Sequence, residues 1–249
     1  MNVHKPNDPA TDSALASTEF RRSEMAAKLN WLRAGVLGAN DGIMSTSGLI
    51  LGVAAAPGVS STTIVVAGVA AVVAGSISMA GGEYTSVSAQ KDSEKAALIV
   101  ERKELADDPD GELRELAWFY EQKGISPALA IRVAEELTAK DALKAHAEAE
   151  LGIDSDHHVS PTQAALSSFV AFAIGGALPL LAVAGPWVDL RIQATVASVV
   201  VALVLTGYVG AKIGGAKPLA GIVRNLFVSL LTMGVTYVIG HLVGTNLAG

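Results

Sequence analysis

The chain is patterned in long apolar blocks separated by short polar breaks, with one long charged interruption. Crossing a bilayer as a helix takes about 20 consecutive apolar residues. Five blocks meet that length: 31–56, 62–84, 161–184, 192–213 and 219–243. Pro57 to Ser61 is a short, uncharged connection, and a Pro-Trp-Val-Asp-Leu-Arg loop joins the third block to the fourth. The second block does not end where its apolar run ends. It continues without a proline into a charged helix reaching about Ala106. Unbroken from Thr62, that helix would be ~65 Å long at 1.5 Å per residue and would project beyond a bilayer.

The interruption itself reads as three helical elements. Asp107-Asp108-Pro109-Asp110-Gly111 breaks the first. The second covers 112–123, with Pro109 near its start and Gly124 at its end, the usual asymmetry. The third opens at Ser126-Pro127, bends near Lys140 and ends at Gly152, and residues 154–160 link back to the apolar blocks. The expected fold class is therefore all-α: a five-span transmembrane bundle with a three-helix cytoplasmic insert between spans two and three. The expected division is a mobile cytoplasmic tail over 1–28, spans one and two over 29–90, an acidic metal-binding helical insert over 91–158, and spans three to five over 159–249.

Composition agrees with this division. Half of the residues are hydrophobic (51%), only 17% are charged, and there is no cysteine. Mean hydropathy is +0.43, too apolar for an ordinary soluble domain of 249 residues. Residues 91–158 hold 17 of the 24 acidic side chains and 9 of the 18 basic ones. An acidic insert argues against a nucleic-acid partner, which needs a basic footprint. Absence of cysteine excludes disulfides, thiol catalysis and Cys-type zinc sites. The N-terminus lacks the apolar stretch of a signal peptide. Lys and Arg set the orientation. Arg21, Arg22, Lys28 and Arg33 precede or open span one, the insert carries its nine, and Lys212, Lys217 and Arg224 flank the connection between spans four and five. The other side has only Arg191. The N-terminus and insert are expected in the cytoplasm and the C-terminus outside. Small residues are frequent in the spans, as tight helix packing in lipid requires.

Three groups of residues could carry chemistry. Asp41 lies within span one, beside Asn40 and between glycines. An ionisable residue there is costly and is a functional hypothesis by default, although a structural pair with Arg33 or Lys212 would also account for it. Met79 and Glu83 share a face of span two, and that face continues through Ser86, Gln90 and Glu94 to Glu101 and Glu104. A thioether beside carboxylates shifts preference from Mg²⁺ or Ca²⁺ toward softer metals such as Fe²⁺; the bland reading of a lone Met in a span is packing. In the insert, Glu101 and Glu104 form one E-x-x-E pair and Glu112 and Glu115 another. If the turn between them folds the helices back, the two pairs face each other, and His146, Glu148 and Glu150 could complete a metal site. The bland reading is a solvated acidic face. His241, in span five, reads as a hydrogen-bonded structural residue, and Trp31 and Trp187 as interfacial aromatics.

The segments GANDGIMSTSGLILGVA (38–54) and SISMAGGEYTSVSAQKD (76–92) resemble the vacuolar iron transporter family, meaning the yeast and plant transporters and their bacterial relatives. The likeness extends over nearly all of the chain after Lys28. It implies a homodimer in the bilayer that moves Fe²⁺ out of the cytosol in exchange for protons, with no organic cofactor and no enzyme activity. It also implies that Asp41 and Met79 line the metal path, and that Glu101, Glu104, Glu112, Glu115 and Glu150 collect metal in the insert. The sequence departs from the plant pattern at His146 and Ala147, where methionines precede the last glutamate; His146 is a capable ligand and Ala147 is not. Many bacterial relatives lack a full insert, so its presence here is informative; the chain resembles a bacterial-type member that has one, expected in the inner (cytoplasmic) membrane. Protonation competes with metal at carboxylates, which gives antiport a physical basis. No G-x-x-x-x-G-K-[ST] motif suggests ATP drive. Two alternatives stay open: Mn²⁺ export by the same architecture, and a membrane-bound di-iron ferroxidase. The second is disfavoured because no histidine has a glutamate three residues before it.

Overall fold

The structure, a computed structural model, describes residues 33–153 and 160–247. The tail over 1–28 with Arg21, Arg22 and Lys28, as well as Trp31 and most of the 154–160 link, lie outside the described residues. All described regular structure is helical. In chain order the helices are α1 (Arg33–Ala54), α2 (Ser61–Asp107), α3 (Pro109–Gln122), α4 (Pro127–Ala149), α5 (Pro161–Ala184), α6 (Arg191–Ile213) and α7 (Pro218–Leu247). A 3₁₀ turn, Val188–Leu190, leads into α6. Five of them, α1, α2, α5, α6 and α7, are long and apolar enough to cross a membrane.

Proline sets four of the helix starts. Pro109, Pro127, Pro161 and Pro218 each open a helix, where a missing N–H costs nothing. The break between α2 and α3 is a single residue, Asp108. Its carboxylate accepts a hydrogen bond from the Gly111 N–H at 2.9 Å, so α3 begins three residues earlier than the sequence predicts. The bend expected near Lys140 falls at Asp141, whose backbone leaves the helical region inside α4. The Asp141 side chain then accepts from the Lys144 N–H at 3.0 Å and starts the helix again. Gly124 ends the turn after α3 at φ 90°, a conformation that side chains with a Cβ rarely adopt.

The described residues divide into two compact units, those up to 84 together with those from 161 onward, and those from 85 to 160. In the first, helices meet through glycine. A Cβ on Gly42 would strike the carbonyl of Phe172, and one on Gly175 would strike the carbonyl of Ala39, so α1 and α5 touch backbone to backbone. Gly52 and Gly240 bring α1 and α7 together in the same way. Beside these contacts, Ile43 and Leu51 of α1 pack with Val199 and Leu203 of α6 and Met233 of α7. Close contact of this kind holds helices together in lipid, where apolar burial supplies little. Two buried hydroxyls of the bundle bond within their own helices: Ser76 donates to the Val72 carbonyl at 2.6 Å and Thr195 to the Arg191 carbonyl at 2.8 Å. In the second unit, Leu116 and Ala117 of α3 pack on Ala130, Ala134 and Ala145 of α4. The alanines let these two helices approach closely enough to fix the residues around His146.

Candidate metal centre and membrane groove

In the insert unit, four side chains from three helices converge. His146 is wholly buried. Its Nδ1 lies 3.0 Å from Glu101 Oε1, 3.6 Å from Glu112 Oε2 and 3.6 Å from Glu150 Oε2. Glu101 comes from the last turns of α2 and Glu112 from the first turn of α3, joined by the Asp108 cap. His146 and Glu150 are four residues apart at the end of α4, on one face of the segment restarted at Asp141.

Neither ring nitrogen of His146, nor Glu101 Oε1, makes an aligned hydrogen bond, although all three atoms are buried. Buried polar atoms are nearly always paired, so this arrangement asks for a further partner. Burial pushes the Glu101 carboxyl up to about 6; Glu150, Glu112 and Glu104 push the same way, and His146 opposes them. The Glu112 carboxyl is raised too, by burial and then by Glu115. The carboxylates thus repel one another around a ring that points its nitrogen at them. A first-row divalent ion bound at ~2.1 Å holds adjacent donor atoms about 3.0–3.4 Å apart, close to the spacing found. Glu101, Glu112 and His146 each offer a ligand atom within 4.8 Å of the other two, a grouping that could hold such an ion.

The remaining predicted residues of the insert lie around this centre. Glu104 and Glu115 are exposed but near enough to act on Glu101 and Glu112 through charge. Glu148 is exposed, 3.9 Å from Lys144, and its charge acts on Tyr120.

In the membrane unit, Asp41, Met79 and Glu83 line one groove of about 370 Å³ between α1 and α2. Among the described residues Asp41 has no ion pair, so the structural pairing with Arg33 or Lys212 is not formed. The groove also holds Ser45, Ser78 and the Phe172 ring, which sequence reasoning missed. Ser45 sits one helical turn from Asp41 and donates to its carbonyl at 2.6 Å. That spacing was the available signal. Phe172 enters because Gly75 has no side chain to keep it out, and nothing local in the sequence announces that contact. Met44 and Met233 pack in or against the apolar core, whereas Met79 faces polar neighbours. His241 Nδ1 lies 3.4 Å from the Ala55 carbonyl, consistent with a structural role.

Five apolar helices of spanning length define a polytopic helical membrane protein. Its relatives narrow that class. A sequence model described as the VIT family matches residues 32–241. A vacuolar iron transporter of Acanthamoeba castellanii is 45% identical over 215 residues, covering 85% of this chain and 78% of its own. Vacuolar iron transporter homolog 5 of Oryza sativa subsp. japonica is 36% identical over 86% of this chain and 81% of its own, and homolog 3 of Arabidopsis thaliana is 33% identical over 90% and 88%. The chain belongs to the VIT family, as its two quoted motifs suggest.

Proposed function

We propose that this protein is a membrane iron transporter that moves Fe²⁺ away from the cytosol in exchange for protons. The observation that carries the proposal is the groove in which Asp41, Met79 and Glu83 meet. Two carboxylates in membrane helices are expensive unless they handle an ion, and with the Met79 thioether the donor mixture suits Fe²⁺ better than Mg²⁺ or Ca²⁺. Family membership and the names of the relatives support iron as the cargo. The insert supplies a second binding place, with Glu101, Glu112, His146 and Glu150 at its centre and Glu104, Glu115 and Glu148 around it. There Fe²⁺ is captured before it enters the membrane path.

Carboxylates release protons to bind metal and take them up when metal leaves, so one set of oxygens can serve both ions in turn. In this reading the N-terminus and insert face the cytosol, as the distribution of Lys and Arg suggests. The metal leaves on the opposite side, whether that is the exterior of a bacterial inner membrane or the lumen of a vacuole. Two subunits form a homodimer with Asp41 and Met79 of each facing a shared path. Nothing in the arrangement calls for an organic cofactor or an enzymatic step.

A second reading has its own support. Three carboxylates and one imidazole are as well suited to Mn²⁺ as to Fe²⁺, which makes Mn²⁺ export the rival. Liposomes carrying the purified protein, with an acidic lumen, test both. Fe²⁺ entering the lumen with matching lumenal alkalinisation is the expected result. Mn²⁺ entry without Fe²⁺ entry would move the assignment to Mn²⁺. No metal flux, with oxygen consumed on adding Fe²⁺, would replace transport by ferroxidase chemistry.

A further inference from the structure

Away from the Asp41 groove, the membrane unit holds another cavity of about 470 Å³ between α1, α6 and α7. Its charge is opposite to that of the metal path. Arg33, Lys217 and Arg224 line it together with Asn40 and Asn225, and among the described residues no carboxylate does. Among the described residues none of the three cations forms an ion pair. The side-chain oxygen of Asn40 is buried without a hydrogen-bond partner, and an amide can turn either its oxygen or its nitrogen toward a ligand. Three positive charges repel Fe²⁺, so this cavity is not a branch of the metal path.

Its position narrows the ligand. Arg33 stands at the first described turn of α1, Lys217 directly before α7, and Ile213 is the last residue of α6. The charged lining therefore gathers around the first described turn of α1, the end of α6 and the first two turns of α7. Leu37 and Ile213 supply an apolar wall and are 51% and 40% exposed. A site with cations at one level and exposed apolar side chains beside them matches a molecule with an anionic head and a hydrocarbon tail. Guanidinium groups pair with phosphate oxygens through two parallel hydrogen bonds, and basic pockets at the ends of membrane helices attract anionic lipid.

We infer that this cavity binds a phosphate anion, presented as the head group of an anionic phospholipid whose acyl chain lies against Leu37 and Ile213. The site is independent of the transport reading. Each cation near a lipid phosphate strengthens binding severalfold, so losing all three weakens it on the order of 100-fold.

The test uses the full chain in neutral detergent, with bound lipid counted by native mass spectrometry. Phosphatidylglycerol, phosphatidylcholine and inorganic phosphate are titrated in separate arms. The comparison is between the unaltered protein, a triple variant (Arg33→Gln, Lys217→Gln, Arg224→Gln) and a charge-matched control (Lys91→Gln, Lys95→Gln, Lys103→Gln) in the insert. Phosphatidylglycerol should bind the unaltered protein and the control alike, and the triple variant on the order of 100-fold more weakly. Equal binding of phosphatidylcholine, or unchanged binding in the triple variant, overturns the site. Inorganic phosphate that displaces phosphatidylglycerol at equal concentration overturns the lipid and leaves a soluble phosphate as ligand. If the triple variant does not fold, the three single variants are read in the same way, each expected to weaken binding severalfold.

Discussion

Glu101 and Glu104 are indistinguishable in the sequence: both are glutamates on the same charged helix, three residues apart. In the fold Glu101 is 2% exposed and touches His146, while Glu104 is exposed. The difference arises from where the Asp108 turn returns α3 against α2, which no local pattern records. His146, by contrast, was legible as the unusual residue of the last insert helix. The Glu101 carboxyl titrates at about 6 rather than its ordinary 4.5. Since the folded state holds this proton more tightly than the unfolded chain does, the metal-free insert gains stability below about 4.5. That gain is lost as pH rises through about 6. Metal needs the deprotonated form, so affinity for Fe²⁺ or Mn²⁺ should climb over the same interval. The Glu101→Gln variant should unfold at a higher temperature than the unaltered protein at pH 7.5 without metal, and should bind metal about 10-fold or more weakly. Thermal melts and calorimetric titrations across pH 4.5 to 7.5 check both signs. The His146→Ala variant should lose affinity by at least as much, because it removes the one imidazole in the cluster.

Helix limits were the most readable feature at the level of elements. Four prolines mark starts, and apolar runs of spanning length fall within a few residues of the observed helices. Contacts between helices were far less readable, because a glycine in a span looks alike whether it faces lipid or another backbone. Gly42 and Gly234 illustrate this. A Cβ on Gly42 would collide with the Phe172 carbonyl, whereas none of the described atoms lies within 4 Å of a Cβ built on Gly234. Gly42→Ala should force α1 from α5 and lower the melting temperature in detergent by several degrees, while Gly234→Ala should leave it unchanged or raise it slightly. The bend in α4 makes a similar point. The Asp141 cap restarts the segment that carries His146 and Glu150. Asp141→Ala should cost about 1 kcal/mol of local stability, seen as faster amide exchange over 142–150 and weaker metal binding, with α3 unaffected.

For the whole molecule, charge segregation and five apolar blocks gave the fold class, because membrane topology is written in runs of composition. How two subunits meet is not written that way. Much of α2 and α7 is exposed, and exposed apolar surface on a membrane helix serves lipid and partner alike. The proposed homodimer puts Met79 near its counterpart. Because the chain has no cysteine, a Met79→Cys variant offers one clean probe: mild oxidation in membranes should yield a covalent dimer. Leu181→Cys, on the exposed face of α5, should not. The central claim is that an iron path runs through the Asp41 groove. It is tested most directly by Fe²⁺ influx into proton-loaded liposomes bearing either the unaltered protein or Asp41→Ala, with each checked for folding by its melting temperature. The account predicts flux with the unaltered protein and at least a 100-fold loss, on the order of 3 kcal/mol of barrier, in the folded variant. Proton-coupled Fe²⁺ flux at the normal rate in Asp41→Ala would contradict it.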